Sequence, residues 1–192
     1  MKIKKIILVA LMFGTLITNA KDKDNTNSKE AKRTVKVEFA NVKKGQTLTI
    51  KNANGLTVYN NDIQNSGDYS RTFDFSALEN GIYSAELNKD FEIVIKQFYV
   101  ENGLVTFLNN KNEKIFKPII RNEGHLLYVS KIAFNKEPLK VVIYYKGNTI
   151  LSETISGNDL LKRVYKLSEK KVGNYTVVIN SDDRTYTNNF TI

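Results

Sequence analysis

From residue 34 onward, apolar and polar residues alternate in short runs, and turn-forming pairs interrupt them at brief intervals: Asn54-Gly55, Asn80-Gly81, Asn102-Gly103, Lys146-Gly147 and Val172-Gly173. Alternation with a period of two is the pattern of a strand with one buried face, and many such runs with frequent turns predict an all-β sandwich or barrel. Strands are expected at 34–40, 46–51, 56–60, 70–75, 82–88, 92–100, 104–108, 114–120, 126–134, 139–145, 149–155, 162–167, 174–180 and 184–192. Only "NDLLKRVYKL" at 158–167 tempts a helix, since Leu160, Leu161, Val164 and Leu167 recur at helical spacing. Its counterpart in the first half, "GDYSRTFDF" at 67–75, alternates like a strand, and the strand reading is adopted for both.

That counterpart exists because the chain repeats itself. An ungapped offset of 92 pairs Val37 with Val129, Gly55 with Gly147, Thr57 with Thr149, Arg71 with Arg163, Tyr83 with Tyr175 and Phe98 with Phe190. A strand slipped by one residue turns its apolar side chains outward, so shared parity over this distance implies a shared fold. Two copies are expected, at 34–100 and 124–192. Residues 101–123 have no match and are expected to form a connecting hairpin of "LVTFL" and "KIFKPII", with Pro118 at an edge or bend.

The phrase "LENGIYSAEL" and its echo "KKVGNYTVVI" place a glycine two residues before a tyrosine. A buried tyrosine needs a partner for its hydroxyl, and a tyrosine just after the turn into a late strand can bond back to the preceding connection, the tyrosine corner of immunoglobulin-like sandwiches. Tyr83 and Tyr175 are therefore assigned a structural role, with Gly81, Gly173, Gly55 and Gly147 permitting the turns.

The ends and the composition set the compartment. Lys2, Lys4 and Lys5, the apolar run Ile6 to Ile17 and "TNA" at 18–20 have the three-part form of a secretory signal cleaved after Ala20. The run is too short to span a bilayer, so no membrane span is expected after cleavage. Residues 21–33, "KDKDNTNSKEAKR", form a solvated tether. The 192-residue chain has no cysteine, which excludes a lipoprotein anchor, disulfides and thiol chemistry. Three of the 29 basic residues lie in the leader, so the formal charge of +9 falls to +6 in the mature protein. These lysines are scattered, as in a surface that keeps a protein soluble.

With "GQTLTIKNANGLTVYNNDI", "RTFDFSALENGIYSAEL" and "FEIVIKQFYV" in view, the sequence resembles the small Ig-like modules of exported proteins from Bacteroidetes-type bacteria. Two relatives share this layout: the C-terminal sorting domain of type IX secretion cargo, and short secreted domains of unknown function. The resemblance implies an exported protein of two tandem Ig-like β-sandwich modules after a cleaved signal peptide. Its motifs are those of the fold and carry no chemistry.

Catalytic constellations are absent from the sequence. The single histidine, His125, has no partner motif, and the adjacent acids Asp182-Asp183 in "NSDDRTY" suit a turn. No metal-ligand spacing or phosphate-binding glycine loop occurs, so no enzyme activity, cofactor or metal is expected. Export makes nucleic acid an unsuitable partner. An envelope protein or a glycan is expected instead, with Tyr128, Tyr144 and Tyr145 as ligand-facing platforms, and unpaired outer strands offer a route to self-association. The expected location is the periplasm, the cell surface or the medium. A second reading makes the second copy a type IX sorting module, and a third, a small glycan-active hydrolase, lacks a catalytic set.

Overall fold

The computed structural model describes residues 33–108 and 113–192; the expected signal peptide and nearly all of the tether lie outside them. Every regular element in the described residues is a strand. The first eight are β1 (Thr34–Val42), β2 (Thr47–Asn52), β3 (Thr57–Asp62), β4 (Gly67–Asp74), β5 (Gly81–Asn88), β6 (Glu92–Glu101), β7 (Leu104–Phe107) and β8 (Glu113–Phe116). β1 and β4 form one sheet, and β3-β2-β5-β6-β7 form another, with β8 also on β6. Val37, Leu48, Ile50, Leu87, Phe98 and Val100 fill the core between them. The remaining strands are β9 (Ile119–Glu123), β10 (Leu126–Ile132), β11 (Leu139–Tyr145), β12 (Asn148–Ile155), β13 (Leu160–Lys166), β14 (Asn174–Ser181) and β15 (Arg184–Thr191). A sheet β13-β10-β9 packs on a sheet β12-β11-β14-β15 around Leu127, Val129, Val141, Ile143, Val177 and Ile179. The chain is thus an all-β protein of paired sheets.

The 158–167 segment is strand, because Leu161 and Tyr165 enter the second core while Leu160 and Val164 face out. Pairings in the two halves correspond. Val37 faces Arg71 as Val129 faces Arg163, and Tyr83 faces Phe98 as Tyr175 faces Phe190, each at the offset of 92.

One strand departs from that offset. β2 places Leu48 opposite Leu87, whereas β11 places Val141 opposite Ile179, so this strand corresponds at 93. The ungapped alignment would put Lys140 where Leu48 is buried, and a slip of one residue avoids it, leaving Lys140 exposed and Leu139, Val141 and Ile143 inside. The extra residue is removed again in the following turn, after a bulge at Ile50/Lys51 and its equivalent at Ile143/Tyr144.

The segment 101–123 also differs from expectation. β7 and β8 do not pair with each other; both lie along the same edge of β6, β7 against Phe98–Glu101 and β8 against Glu92–Ile95. The expected strand at 114–120 is split at Lys117-Pro118, and β9 beyond it pairs with β10 of the second sheet pair. Proline has no N–H to give a ladder, so it suits the point where the chain leaves one sheet for another.

Tyr83 donates its hydroxyl to the carbonyl of Glu79 at 3.0 Å, and Tyr175 to that of Lys171 at 2.6 Å, each four residues upstream. Their rings stack on Phe98 and Phe190, with centroids 5.7 and 5.5 Å apart. Gly81 (φ 155°) and Gly173 (φ 137°) precede the tyrosines in a backbone region that favours glycine, and Gly55 (φ 78°) and Gly147 (φ 82°) hold the equivalent β2–β3 and β11–β12 turns. Tyr83→Phe is expected to cost about 1 kcal/mol, because the Glu79 carbonyl loses its partner while the ring stays packed. A denaturant titration that leaves the midpoint unchanged would contradict this.

Candidate functional site

Strand alternation gives the β13-β10-β9 sheet an outer face as well as a core face. Leu126, Tyr128, Ser130 and Ile132 of β10 point out, flanked by Leu160, Lys162, Val164 and Lys166 of β13 and by Ile119, Arg121 and Glu123 of β9, the last two ion-paired at 3.3 Å. Leu160 and Val164 are each more than half exposed, as is Ile119. Arg121 holds its guanidinium 5.0 Å from the centre of the Tyr128 ring, and these residues line a shallow depression with Lys162 and Arg163.

The same face of the first sheet pair has different chemistry. There the outward positions are Thr34, Lys36, Glu38 and Ala40 on β1, with Asp68, Ser70, Thr72 and Asp74 on β4, all exposed. Thr34 corresponds to Leu126, Lys36 to Tyr128, Asp68 to Leu160 and Thr72 to Val164. One frame therefore carries a polar, net acidic face in the first half and an apolar, basic one in the second.

The three tyrosines expected to face a ligand are not gathered. Tyr128 lies on the apolar, basic face. Tyr145 packs its ring 5.0 Å from Tyr175 against the second core and donates its hydroxyl to the Val172 carbonyl at 2.9 Å. Tyr144 is half-buried on β11, in the opposite sheet. His125 is half-buried in the turn between β9 and β10, and its main-chain carbonyl accepts from Leu167. Asp182 and Asp183 form the β14–β15 turn with φ of 52° and 54°, the left-handed pair that matches a two-residue hairpin. Among the described residues no group of three or more acidic, histidine or cysteine side chains could hold a metal ion, and no helix is long and apolar enough to cross a membrane.

Asp182 is instead half of a buried ion pair. Lys131 reaches it at 2.7 Å, with both side chains almost fully buried, and Asn135 donates to its other oxygen at 2.6 Å. Burial alone would push the Asp182 carboxyl up, but the bonds from Lys131 and Asn135 outweigh it and hold the group below the usual carboxylate range. Glu86 on β5 is treated alike: burial raises it, while Arg184 at 2.7 Å and Lys51 at 2.9 Å bring it down. The Arg184–Glu86 pair joins the start of β15 to the outer face of the first half, and Phe116 of β8 meets Phe134 edge-on, with ring centroids 5.7 Å apart.

Residues 29–101 match the family model described as the secretion system C-terminal sorting domain. The matched stretch is the first of the two corresponding halves, whereas the sequence raised a sorting role for the second. The match agrees with the resemblance drawn from the residues and marks a secreted or cell-surface protein. Among solved structures, the BSP domain of a biofilm associated protein aligns at 15% identity over 82% of this chain, with a TM-score of 0.29; the chain spans 27% of that one. The ligand-binding domain of human OSCAR aligns at 9% identity over 83% of this chain and 89% of its own, with a TM-score of 0.25. No curated protein matches the sequence.

Sequence alternation missed the exposed apolar face because β10 and β13 carry apolar residues at both parities, and all of them read as core. The buried pair was hidden in "SKI" and "SDD". Lys131→Met is expected to lower stability by about 3–5 kcal/mol, since Asp182 would stay buried without its counter-charge, and Lys131→Met with Asp182→Leu should recover most of the loss. Both Asp182 and Glu86 have lowered pKa values in the fold, so their stabilisation is present above the unfolded carboxylate values near 4 and is lost as pH falls through the lower folded ones. Chemical denaturation from pH 7 to 2 should show this acid loss, and Asp182→Asn should flatten it. An unchanged pH profile in that variant would contradict the assignment.

Proposed function

We propose that this is an exported, non-catalytic protein of the bacterial cell envelope, built as two tandem Ig-like β-sandwich modules behind a cleaved signal peptide. The first module is the sorting-domain-like unit, and the second holds a partner through the outer face of β9, β10 and β13. The observation that carries this reading is the contrast between equivalent faces: exposed Leu126, Ile132, Leu160 and Val164 stand where the first half has Thr34, Ala40, Asp68 and Thr72. Exposed aliphatic side chains gathered on one rigid sheet and fringed by Arg121 and Lys162 have the make-up of an interaction surface. The partner in this reading is an envelope protein or a glycan, and no cofactor takes part. The protein is periplasmic or displayed at the surface and is not a lipoprotein.

The match over residues 29–101 favours a second reading, in which that stretch is an export address and the second half is the part delivered. Cell fractionation with N-terminal sequencing separates the two. Binding through the second half predicts a mature protein that begins at Lys21 and sediments with the envelope, and a Tyr128→Ser, Val164→Asp variant that keeps its fold but is released into the soluble fraction. Equal distribution of both proteins would overturn the binding role. Export that ceases when residues 34–100 are removed would support the address.

A further inference from the structure

Strand β15 is the last strand of its sheet, and among the described residues only β14 pairs with it. Gly173 and Ile192 exchange both main-chain hydrogen bonds, at 2.9 and 3.1 Å. Antiparallel ladders alternate bonded and open positions, so Thr185, Thr187, Asn189 and Thr191 turn their N–H and C=O groups away from β14. In the first half the equivalent strand is β6, and its outward edge is filled: Ile93 and Ile95 pair with β8, Tyr99 and Glu101 pair with β7, and Leu108 donates to the Gln97 carbonyl at 2.9 Å.

The filling matters to the core. β7 brings in Val105, almost wholly buried, and Phe107, whose ring meets Phe98 at 6.0 Å, and under this cover Val94, Phe98 and Val100 lose nearly all exposure. Their counterparts beside β15 are Tyr186, Phe190 and Ile192, which pack on the second core yet stay partly exposed. Ile120 of β9 reaches this core from the opposite sheet without closing it. The β15 sequence "RTYTNNFT" also has none of the lysines, acids or prolines that natural proteins place on edges to deter pairing, unlike β4, β9 and β13.

We propose that the open edge of β15 accepts an extended strand of a partner protein, one with apolar side chains at alternate positions and acidic residues just ahead of them. The repeat shows which side chains cover this edge, since β7 supplies Val105 and Phe107 at the same place in the first half. Charge selects the flank. Lys146 and Lys171 stand at the Ile192 end of the sheet, their ammonium groups 5.2 and 5.6 Å from the Tyr145 ring. An added strand running antiparallel to β15 starts at that end, so its N-terminal residues lie nearer these two cations than its C-terminal ones. Main-chain bonds supply affinity in such strand addition, and the alternate side chains supply selectivity.

The test uses the mature chain from Lys21 and a synthetic peptide with the sequence of residues 101–108, "ENGLVTFL", labelled for fluorescence anisotropy. Saturable binding is expected, with slowed amide exchange at Thr185, Thr187, Asn189 and Thr191. Binding should weaken about tenfold or more when the peptide positions equivalent to Val105 and Phe107 become serine, and also with Thr187→Pro, which removes one outward N–H. If Thr187→Pro fails to fold, as circular dichroism would reveal, a peptide N-methylated on its β15-facing amides gives the same reading. No binding, or slowed exchange only at other edges, overturns the proposal. A concentration-dependent dimer formed through β15 would make a second copy the occupant and overturn the assignment to a partner strand.

Discussion

A tyrosine hydroxyl inside a sandwich must find an acceptor there, and in both halves of this chain it finds the carbonyl four residues before it. That bond fixes where β5 and β14 begin and which way their first rings point. Once Tyr83 and Tyr175 point inward, parity sends Ala85 and Leu87, or Val177 and Ile179, inward too, and the cross-strand partners Phe98 and Phe190 complete the stack. β5 and β14 are the strands that β2 and β11 join on one side and β6 and β15 on the other. The glycine two places earlier supplies the backbone geometry that the turn requires.

Because this frame is held from within, its outside is free to differ. The first half adds β7 and β8 to the β6 edge and shows a polar face on β1 and β4. The second half adds β9 to the other sheet, leaves the β15 edge open among the described residues and presents aliphatic side chains on β10 and β13. Strands added to one sheet or the other close a sandwich differently, and the choice decides which edge and which face remain for a partner. The ion pair between Glu86 and Arg184 then ties the turn of the second half to the first.

Much of this was legible in the sequence because strands with one buried face print their parity in the chain. The expected strands fall close to the observed ones, and the glycine and tyrosine positions mark the turns. Pairing partners are not printed in the same way. "LVTF" and "KIF" alternate well, but alternation does not say whether they pair with each other or both with β6, and they do the latter. The one-residue slip of β11 was equally hidden, since "LKVVIYY" offers apolar residues at both parities and only the exclusion of Lys140 from the core chooses between them. The outer face of β10 and β13 escaped notice for the same reason: a residue such as Val164 that looks like core in one dimension is surface in three. The buried Lys131–Asp182 pair joins residues far apart in the chain, and no local pattern announces it.

Among the described residues, equivalent edges of the two halves have opposite fates, β6 covered and β15 open. Native-state amide exchange on the free protein tests this most directly, by comparing Ile93 with Thr185, Ile95 with Thr187 and Tyr99 with Thr191, pairs that occupy the same ladder positions. Strong protection is expected for the β6 member of each pair and rapid exchange for the β15 member. Equal protection in both strands would mean that the β15 edge is already occupied, and would contradict this expectation.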